Sequence, residues 1–486
     1  MEIKDLEPNL LWQFFGRITQ IPRPSKKEGK IVSYLLDFAR GQGLEVKKDE
    51  AGNVLIRKPA SPGKENLKTV ILQSHVDMVC EKNADVNFNF ETEPIRTYID
   101  NGWVKAQGTT LGGDDGIGVA AALAILASKD IEHGPIECLF TTDEETGLTG
   151  AYALSKDFLS GGDILINLDS EEWGEFCIGC AGGKNTTGIF HYTKTSPPDD
   201  YFWFEVQVGG LNGGHSGSDI NVGLGNANKI LTRYLWTLLQ ECPLLLANIE
   251  GGNLHNAIAR EAKATAGVPA AFKEKVSVWL NVLQANLSAE LAKVDKNVKL
   301  SIRSVEKPAY CIDAETGKKL LTALYALPHG VMGMSHEIAG LVETSTNLAS
   351  VKMKEDGAIV VTTSQRSSTE SLKADIANQV KAVFLQAGAE VSATDGYPGW
   401  KPNSGSAILK ISKGLFEQLF AEEPKVIAIH AGLECGLFFE KNPGLDMISC
   451  GPTILGAHSP DERLEIATVE KWWKFLIELL KAVPVK

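Results

Sequence analysis

The segment Thr69–Asp77 reads TVILQSHVD, a largely apolar, β-branched run that gives way to a histidine and an aspartate. Two later segments share this design: residues 136–145 read IECLFTTDEE and residues 164–171 read ILINLDSE. Each is typical of a buried strand whose carboxyl end opens onto polar residues. Between the first two, Gly116–Ser128 (GIGVAAALAILAS) predicts a small-residue helix. This alternation predicts an α/β fold with a mostly parallel sheet flanked by helices.

The pattern changes after Gly183 and returns near the end of the chain. Residues 201–208 (YFWFEVQV) alternate as a half-exposed antiparallel strand does, and further helical and strand patterns follow. The α/β pattern resumes with a helix predicted over Ala407–Phe420. We therefore predict one discontinuous α/β domain, residues 1–184 and 393–486, interrupted by an inserted α+β domain over residues 185–392.

Composition limits the class of protein. Lys and Arg total 48 and Asp and Glu total 61, so the formal net charge is −13, which disfavours nucleic-acid binding and attracts divalent cations. No apolar run approaches the ~20 residues that span a bilayer, and the first residues, MEIKDLEPNL, lack a signal-peptide pattern. Eight scattered cysteines suit reduced thiols. We expect a soluble, cytoplasmic protein with neither a nucleic-acid nor a membrane partner.

The polar residues at the predicted strand ends suggest metal chemistry. His75 and Asp77 are two apart on a strand and point the same way, so Asp77 could orient the imidazole; a histidine satisfying a loop is the alternative. Asp114 and Asp115 precede the small-residue helix, where they fit either a helix cap or a cation site.

A second group of acids and a distant histidine extend this pattern. The side chains of Glu144 and Glu145 should diverge, so that one holds a metal while the other takes a proton from metal-bound water; a solvated acidic loop is the alternative. Asp169 ends another buried strand, and His458 lies in GAHSP. Together, two histidines and three or four carboxylates suffice for two ions.

At this point the chain resembles a known family, the aminoacyl-histidine dipeptidases (peptidase D) of the dinuclear-zinc aminoacylase and carboxypeptidase superfamily. The resemblance spans essentially the whole chain. The segments that carry it are SHVDMV (74–79), GTTLGGDDGIG (108–118), TTDEETG (141–147), INLDSEE (166–172), GGHSGSDINVGLGNANK (213–229), HAGLECGLF (430–438) and GPTILGAHSPDE (451–462).

The resemblance implies a metal-ligand set. Asp114 would bridge two Zn²⁺ ions, for which Mn²⁺ or Co²⁺ could substitute. His75 and Asp169 would complete one site, and Glu145 and His458 the other. A cis peptide bond would follow Asp114.

It also implies roles for other residues. Asp77 would orient the first histidine ligand, and Glu144 would be the general base. His215 would reach in from the inserted domain, acting as a lid, to polarise the scissile carbonyl. Asn256 and Arg366 would grip the substrate carboxylate.

The implied activity is a cytosolic, homodimeric dipeptidase that cleaves Xaa-His and some other dipeptides, including β-alanyl-histidine, through a metal-bridged hydroxide. An N-acyl amino acid or tripeptide hydrolase of the same superfamily is one alternative. A non-catalytic peptide- or metal-binding homologue is another, although the chain keeps Glu144. A redox protein using Cys177 and Cys180 would be insensitive to chelators; two buried structural thiols are the preferred interpretation.

Overall fold

The computed structural model describes residues 2–486, which form two compact units. The first unit comprises residues up to 180 together with 400–428 and 433–486, and the second comprises 181–399 and 429–432. The predicted domain boundaries, after residues 184 and 392, lie a few residues from these divisions. The short segment 429–432 differs from prediction, because it groups with the second unit rather than with the carboxyl-terminal part of the first. None of the helices within residues 2–486 is both long and apolar enough to cross a membrane.

Helices and strands are numbered here in chain order over residues 2–486. The α-helices are α1 (Asn9–Ile18), α2 (Gly29–Gln42), α3 (Gly113–Ala127), α4 (Thr149–Ala153), α5 (Ala227–Glu241), α6 (Lys273–Glu290), α7 (Ala314–Ala326), α8 (Glu370–Gln386), α9 (Ala407–Phe420), α10 (Glu434–Lys441) and α11 (Ile466–Lys481). The strands are β1 (Glu45–Lys48), β2 (Val54–Lys58), β3 (Val70–His75), β4 (Thr97–Asp100), β5 (Trp103–Ala106), β6 (Ile136–Thr141), β7 (Ile164–Asn167), β8 (Glu175–Cys180), β9 (Gly182–His191), β10 (Lys194–Thr195), β11 (Tyr201–Gly209), β12 (Gly214–His215), β13 (Leu245–Gly251), β14 (Ala257–Ile258), β15 (Ala262–Pro269), β16 (Lys299–Ser304), β17 (Cys311–Ile312), β18 (Gly330–Met334), β19 (Val342–Met353), β20 (Ala358–Ser367), β21 (Glu390–Ala393), β22 (Lys425–Ile429), β23 (Asp446–Ser449), β24 (Ile454–Leu455) and β25 (Arg463–Glu465).

The main sheet of the first unit has the strand order β1-β2-β6-β3-β7-β23-β8-β22. Its central strands β6, β3, β7 and β23 pair in parallel, and the pairs β1–β2, β2–β6 and β23–β8 are antiparallel. The α/β fold class is confirmed, with the parallel pairing confined to the middle of the sheet. Strands β3, β6 and β7 are buried at every residue, as their apolar sequences predict.

The parallel strands bring their polar carboxyl ends to one edge. In the register of the sheet, His75 at the end of β3 lies opposite Thr141 at the end of β6, and Gln73 lies opposite Asn167 at the end of β7. Polar loops that follow such strands are where ligands bind in open α/β sheets. The residues that follow these three strands therefore define the candidate site.

The second unit is built on a separate antiparallel sheet with the order β16-β11-β15-β13-β19-β20-β9-β21, to which β18 adds beside β19. Its core contains large buried side chains from strands and helices, including Phe204, Tyr234 and Phe384. A small ladder of β12 and β14 pairs His215 with Ala257. This unit has the predicted α+β character.

Candidate metal centre

Five side chains of the first unit form two overlapping groups of metal-binding atoms. His75, Asp114 and Asp169 form one group, and Asp114, Glu145 and His458 form the other; in each, the atoms lie within 4.8 Å of one another. The structure therefore brings together all five ligands that the sequence predicts. Asp114 is the member that the two groups share.

The two carboxylate oxygens of Asp114 face different groups. Its Oδ1 lies 2.9 Å from His75 Nε2, which is also 3.5 Å from Asp169 Oδ1. Its Oδ2 lies 3.2 Å from His458 Nε2, which is 3.0 Å from Glu145 Oε2. A carboxylate with one oxygen directed to each group has the arrangement that a bridging ligand requires.

Asp77 contacts both the His75 ring and the backbone of Glu144 and Glu145. Its Oδ1 lies 3.3 Å from His75 Nδ1 and accepts the Glu144 N–H at 3.0 Å, while its Oδ2 accepts the Glu145 N–H at 3.2 Å and the Ser25 hydroxyl at 2.8 Å. Burial opposes ionisation of Asp77, but the contact with His75 and the hydrogen bonds from Ser25 and Glu144 together outweigh burial, and the pKa of Asp77 falls to about 2. The Asp77 carboxylate thus lies where an outer carboxylate lies behind a histidine ligand at metal sites.

Asp115 has a role different from that of its neighbour. The peptide bond between Asp114 and Asp115 is cis, as the family resemblance implies. Asp115 Oδ2 accepts the His75 N–H and its Oδ1 accepts the Gly118 N–H, each at 3.2 Å. Asp115 therefore accepts backbone N–H groups of β3 and of the first turns of α3, and of the two acids only Asp114 belongs to the two donor groups.

The acids favour positive charge on both histidines. Hydrogen bonds with Asp114 and Glu145 raise the pKa of His458 to about 11. Burial opposes protonation of His75, but the charge of Asp169 and the hydrogen bond with Asp114 raise its pKa well above the ordinary value. The cluster is therefore a strong site for cationic charge, whether carried by protons or by metal ions.

The donor set also fits metal ions chemically. Imidazole nitrogens and carboxylate oxygens are ligands that zinc and related divalent ions accept. The Oε1 atom of Glu145 is buried without a hydrogen-bond partner. A buried acceptor left unpaired is costly unless something satisfies it, and a cation in this group would do so.

Glu144 stands beside the ligand set. Its carboxylate forms a donor group with His75 and Glu145. Burial raises the pKa of Glu144 well above its ordinary value, and the neighbouring charges of Glu434, Glu145 and Asp114 act in the same direction. A carboxylate with a raised pKa is suited to accept and return a proton near neutral pH.

The second unit contains a cluster of different charge. Arg366 is buried, its Nη1 donates to the Tyr397 hydroxyl at 2.7 Å, and its Nε has no hydrogen-bond partner. Its Nη2 lies 3.4 Å from His215 Nε2. Among the described residues, no acid forms an ion pair with Arg366. This cluster therefore presents uncompensated positive charge.

Nearby histidines remain neutral in that setting. Burial and then the charge of Arg366 lower the pKa of His215, and the same two causes lower the pKa of His430 to about 3. His430 Nε2 lies 2.7 Å from the Ser345 hydroxyl. Asn256 is half-buried, and its backbone carbonyl accepts the N–H of the residue after His215, at 2.8 Å.

A model of peptidase family M20/M25/M40 matches residues 71–482. The chain belongs to this family. The cytosol non-specific dipeptidase of Escherichia coli (strain K12) is 43% identical over 485 residues, which are 100% of both chains. The crystal structure of aminoacylhistidine dipeptidase from Vibrio alginolyticus is 44% identical, with a TM-score of 0.94, and the match covers 100% of this chain and 99% of the other. The resemblance seen in the motifs is confirmed.

A more distant structure shares the fold. An aminopeptidase from Bacillus cereus superposes with a TM-score of 0.57 at 16% identity, covering 98% of this chain and 99% of that one.

The M20 site also contains residues that sequence reasoning did not select. Glu434, the first residue of α10, is fully buried, and its Oε2 accepts hydrogen bonds from Gln73 and Thr141 at 2.6 and 2.8 Å. Burial raises its pKa to about 7. Arg23 is buried and donates only to backbone carbonyls. Glu434 lies within the family segment 430–438, which is the signal that could have found it, whereas Arg23 lies outside the segments that carry the resemblance.

The predicted site residues of this chain lie in two different units. His75, Asp77, Asp114, Glu144 and their neighbours belong to the first unit. His215, Asn256 and Arg366 belong to the second. That residues of both units act on the same substrate molecule stays a prediction.

Proposed function

We propose that this chain is a metal-dependent dipeptidase. The observation that carries the proposal is the shared carboxylate of Asp114, with one oxygen toward each of two donor groups and Glu144 beside them. The two relatives that match the chain over its full length are both named dipeptidases, which favours a dipeptide over an N-acyl amino acid or a tripeptide as substrate. The retained Glu144 favours an enzyme over a binding homologue.

In this proposal the five donors hold two ions, Zn²⁺ with Mn²⁺ or Co²⁺ as substitutes. His75, Asp114 and Asp169 hold one, and Asp114, Glu145 and His458 hold the other. Bound metal would polarise the scissile carbonyl and make water more acidic.

The first unit's own residues then move the proton. The Glu144 carboxylate accepts a proton from the attacking water and delivers it to the nitrogen of the leaving amine. Asp77 keeps the His75 ring in place and holds the N–H groups of Glu144 and Glu145.

In the second unit we propose recognition of the substrate's carboxylate and carbonyl oxygen. The Gly217 and Ser218 N–H groups both donate to His215 Nδ1, at 3.2 Å, which favours a proton on Nε2. Arg366 Nη2, which can only donate, lies 3.4 Å from Nε2 and favours the opposite tautomer, so the proposed role requires a bound substrate to replace this contact. The Nε2 proton can then be donated to the scissile carbonyl oxygen. The unpaired Nε of Arg366 supports a role for Arg366 in binding the carboxylate, with Asn256 as an additional partner.

The proposed substrates are Xaa-His and other dipeptides, including β-alanyl-histidine. We also propose a cytoplasmic location, in keeping with the name of the E. coli relative, and a homodimer. Light scattering coupled to size-exclusion chromatography tests the dimer directly: a mass of one chain at micromolar concentration contradicts it.

The activity test is a substrate panel assayed with metal-free protein before and after addition of zinc or manganese. It contains β-Ala-His, Gly-His, Leu-Gly, a tripeptide and an N-acetyl amino acid. We expect the dipeptides to be cleaved and the cleavage to depend on metal. Preference for the tripeptide or the N-acetyl amino acid assigns a different hydrolase activity, and cleavage insensitive to chelator contradicts metal dependence.

A further inference from the structure

The carboxylate of Glu462 is surrounded by the backbone of another part of the first unit. The side chain is buried, and it accepts four consecutive N–H groups. Leu111 and Gly112 donate to Oε2 at 2.7 and 2.9 Å, and Gly113 and Asp114 donate to Oε1 at 2.7 and 3.2 Å. Successive N–H groups of this kind form a concave anion site, which here is filled by the chain's own carboxylate.

Arg23 holds the same segment from its carbonyl side. Its Nη2 donates to the Gly112 carbonyl at 2.5 Å, and its Nη1 donates to the Val76 and Asp77 carbonyls at 3.0 and 2.6 Å. Gly112 therefore has its N–H on Glu462 and its carbonyl on Arg23. The buried Glu462 carboxylate binds the N–H groups of the segment that leads into Asp114, and the buried Arg23 guanidinium binds a carbonyl of the same segment.

This arrangement explains the glycine pair in the motif GGDDG. Gly112 has a φ of +69°, and a Cβ there would lie 2.5 Å from Arg23 Nη2. A Cβ on Gly113 would lie 3.2 Å from Glu462 Oε1. The backbone must approach both charged groups closely, and a side chain at either position would interfere.

We propose that Glu462 is a positioning residue that sets the metal affinity of this centre. It lies four residues after His458 in the same loop, and it binds the N–H of Asp114, 344 positions away from that histidine. Glu462 therefore joins the two chain segments that supply the shared ligand and one of the histidines. The inference rests on the proposed metal-dependent function.

The chemistry of the site predicts what an amide would do there. An ionised carboxylate has only acceptors, which matches four N–H donors. In Glu462→Gln, the amide NH₂ would face two of those N–H groups and push the segment of Asp114 away. Loss of such an outer partner typically lowers metal affinity by about 10–100-fold. The larger loss of metal affinity should occur at the donor group of Asp114, Glu145 and His458, since Glu462 holds the loop of His458.

The experiment titrates metal-free wild-type protein, Glu462→Gln and Asp461→Asn with Zn²⁺ against a competing chromophoric chelator. Asp461 is the exposed neighbour of Glu462 in the same loop, so Asp461→Asn controls for loss of one negative charge. We expect weakening of about 10–100-fold for Glu462→Gln alone, with activity restored at saturating zinc and with KM unchanged. Wild-type affinity in Glu462→Gln would overturn the proposal, and so would an activity loss that zinc does not restore.

Gly113→Ala provides a second variant that keeps the charge, should Glu462→Gln not fold. Its methyl group crowds Glu462 Oε1, so we expect a smaller loss of zinc affinity. Unchanged affinity in a folded Gly113→Ala protein contradicts the role of Glu462. Failure of the wild-type protein to bind zinc contradicts the proposed function instead, so the two failures are distinguishable.

Discussion

The two units place histidines in opposite electrostatic surroundings. In the first unit, His75 and His458 contact carboxylates, and their pKa values are raised. In the second, His215 is half-buried and His430 is buried, both near Arg366, and their pKa values are lowered. The first setting suits a bound cation, and the second suits a neutral donor beside an anion. Hydrolysis of a peptide substrate requires both settings, since the carbonyl must be activated and the carboxylate must be recognised.

The largest expected effect separates two neighbouring acids of the first unit. Glu144→Gln removes the proposed base but no ligand, so we expect turnover to fall by at least about 10², the lower end for general acid–base catalysis, with metal content unchanged. Glu145→Gln should instead lower metal content, because Glu145 lies in the group with Asp114 and His458. Parallel kinetics and metal analysis make the comparison. Near-normal turnover in Glu144→Gln would assign the base elsewhere.

His215→Ala tests whether the second unit takes part in the chemistry. A donor to the developing oxyanion contributes roughly 10²–10³-fold in kcat, so a loss of that size is expected, with metal content intact. Mixing His215→Ala with Glu144→Gln chains shows whether a partner chain supplies the histidine, since recovered activity indicates sharing. Wild-type kcat in His215→Ala alone would refute the role.

Much of the first unit was predictable because its signals are local. The buried strands β3, β6 and β7 follow from continuous apolar runs, and the polar residues after them mark the edge where ligands gather. The helix Ala407–Phe420 was predicted with its observed bounds. The assembly of Asp114 with His458 depended on the family resemblance, since 344 positions separate them and no spacing pattern joins them.

The site residues that the sequence analysis did not detect either bind backbone groups that are distant in sequence or become buried only in the fold. Arg23 and Glu462 bind carbonyl and N–H groups of remote segments, which leave no trace in side-chain patterns. Glu434 looks like an ordinary first-turn acid of α10, and only the fold buries it. The grouping of His430 with the second unit was missed for a related reason, because the chain on both sides of residues 429–432 belongs to the first unit.

Arg366→Ala should have an intermediate effect that depends on the substrate. A hydrogen bond to a charged group contributes about 1.5–3 kcal/mol, which is about 10–150-fold in kcat/KM. We expect that loss for a dipeptide and a much smaller loss for its carboxyl-amidated analogue. Equal losses on both substrates would remove Arg366 from carboxylate recognition.

The smallest expected effect concerns the pH dependence of stability in the second unit. Because the pKa of His430 is about 3 in the folded protein and about 6.5 when unfolded, the unfolded chain binds an extra proton as pH falls below about 6.5. His430 therefore costs stability with falling pH, by about 2 kcal/mol between pH 6.5 and 5.

Denaturant unfolding of wild-type protein, His430→Gln and the exposed control His336→Gln at pH 7.5 and 5 measures this effect. His430→Gln should lose less stability on acidification than the other two proteins. The same pH dependence in all three would show that His430 is protonated as easily in the folded protein as in the unfolded chain.

The central claim is that the first unit holds a two-ion centre through Asp114. The most direct measurement is the metal content of wild-type protein and Asp114→Asn, determined by mass spectrometry of the metals after equilibrium dialysis against zinc, with activity followed in the same samples. We predict about two ions per wild-type chain, activity that rises with the second ion, and loss of both ions in Asp114→Asn. Full activity with a single tightly bound ion, or unchanged metal content in Asp114→Asn, would contradict the account.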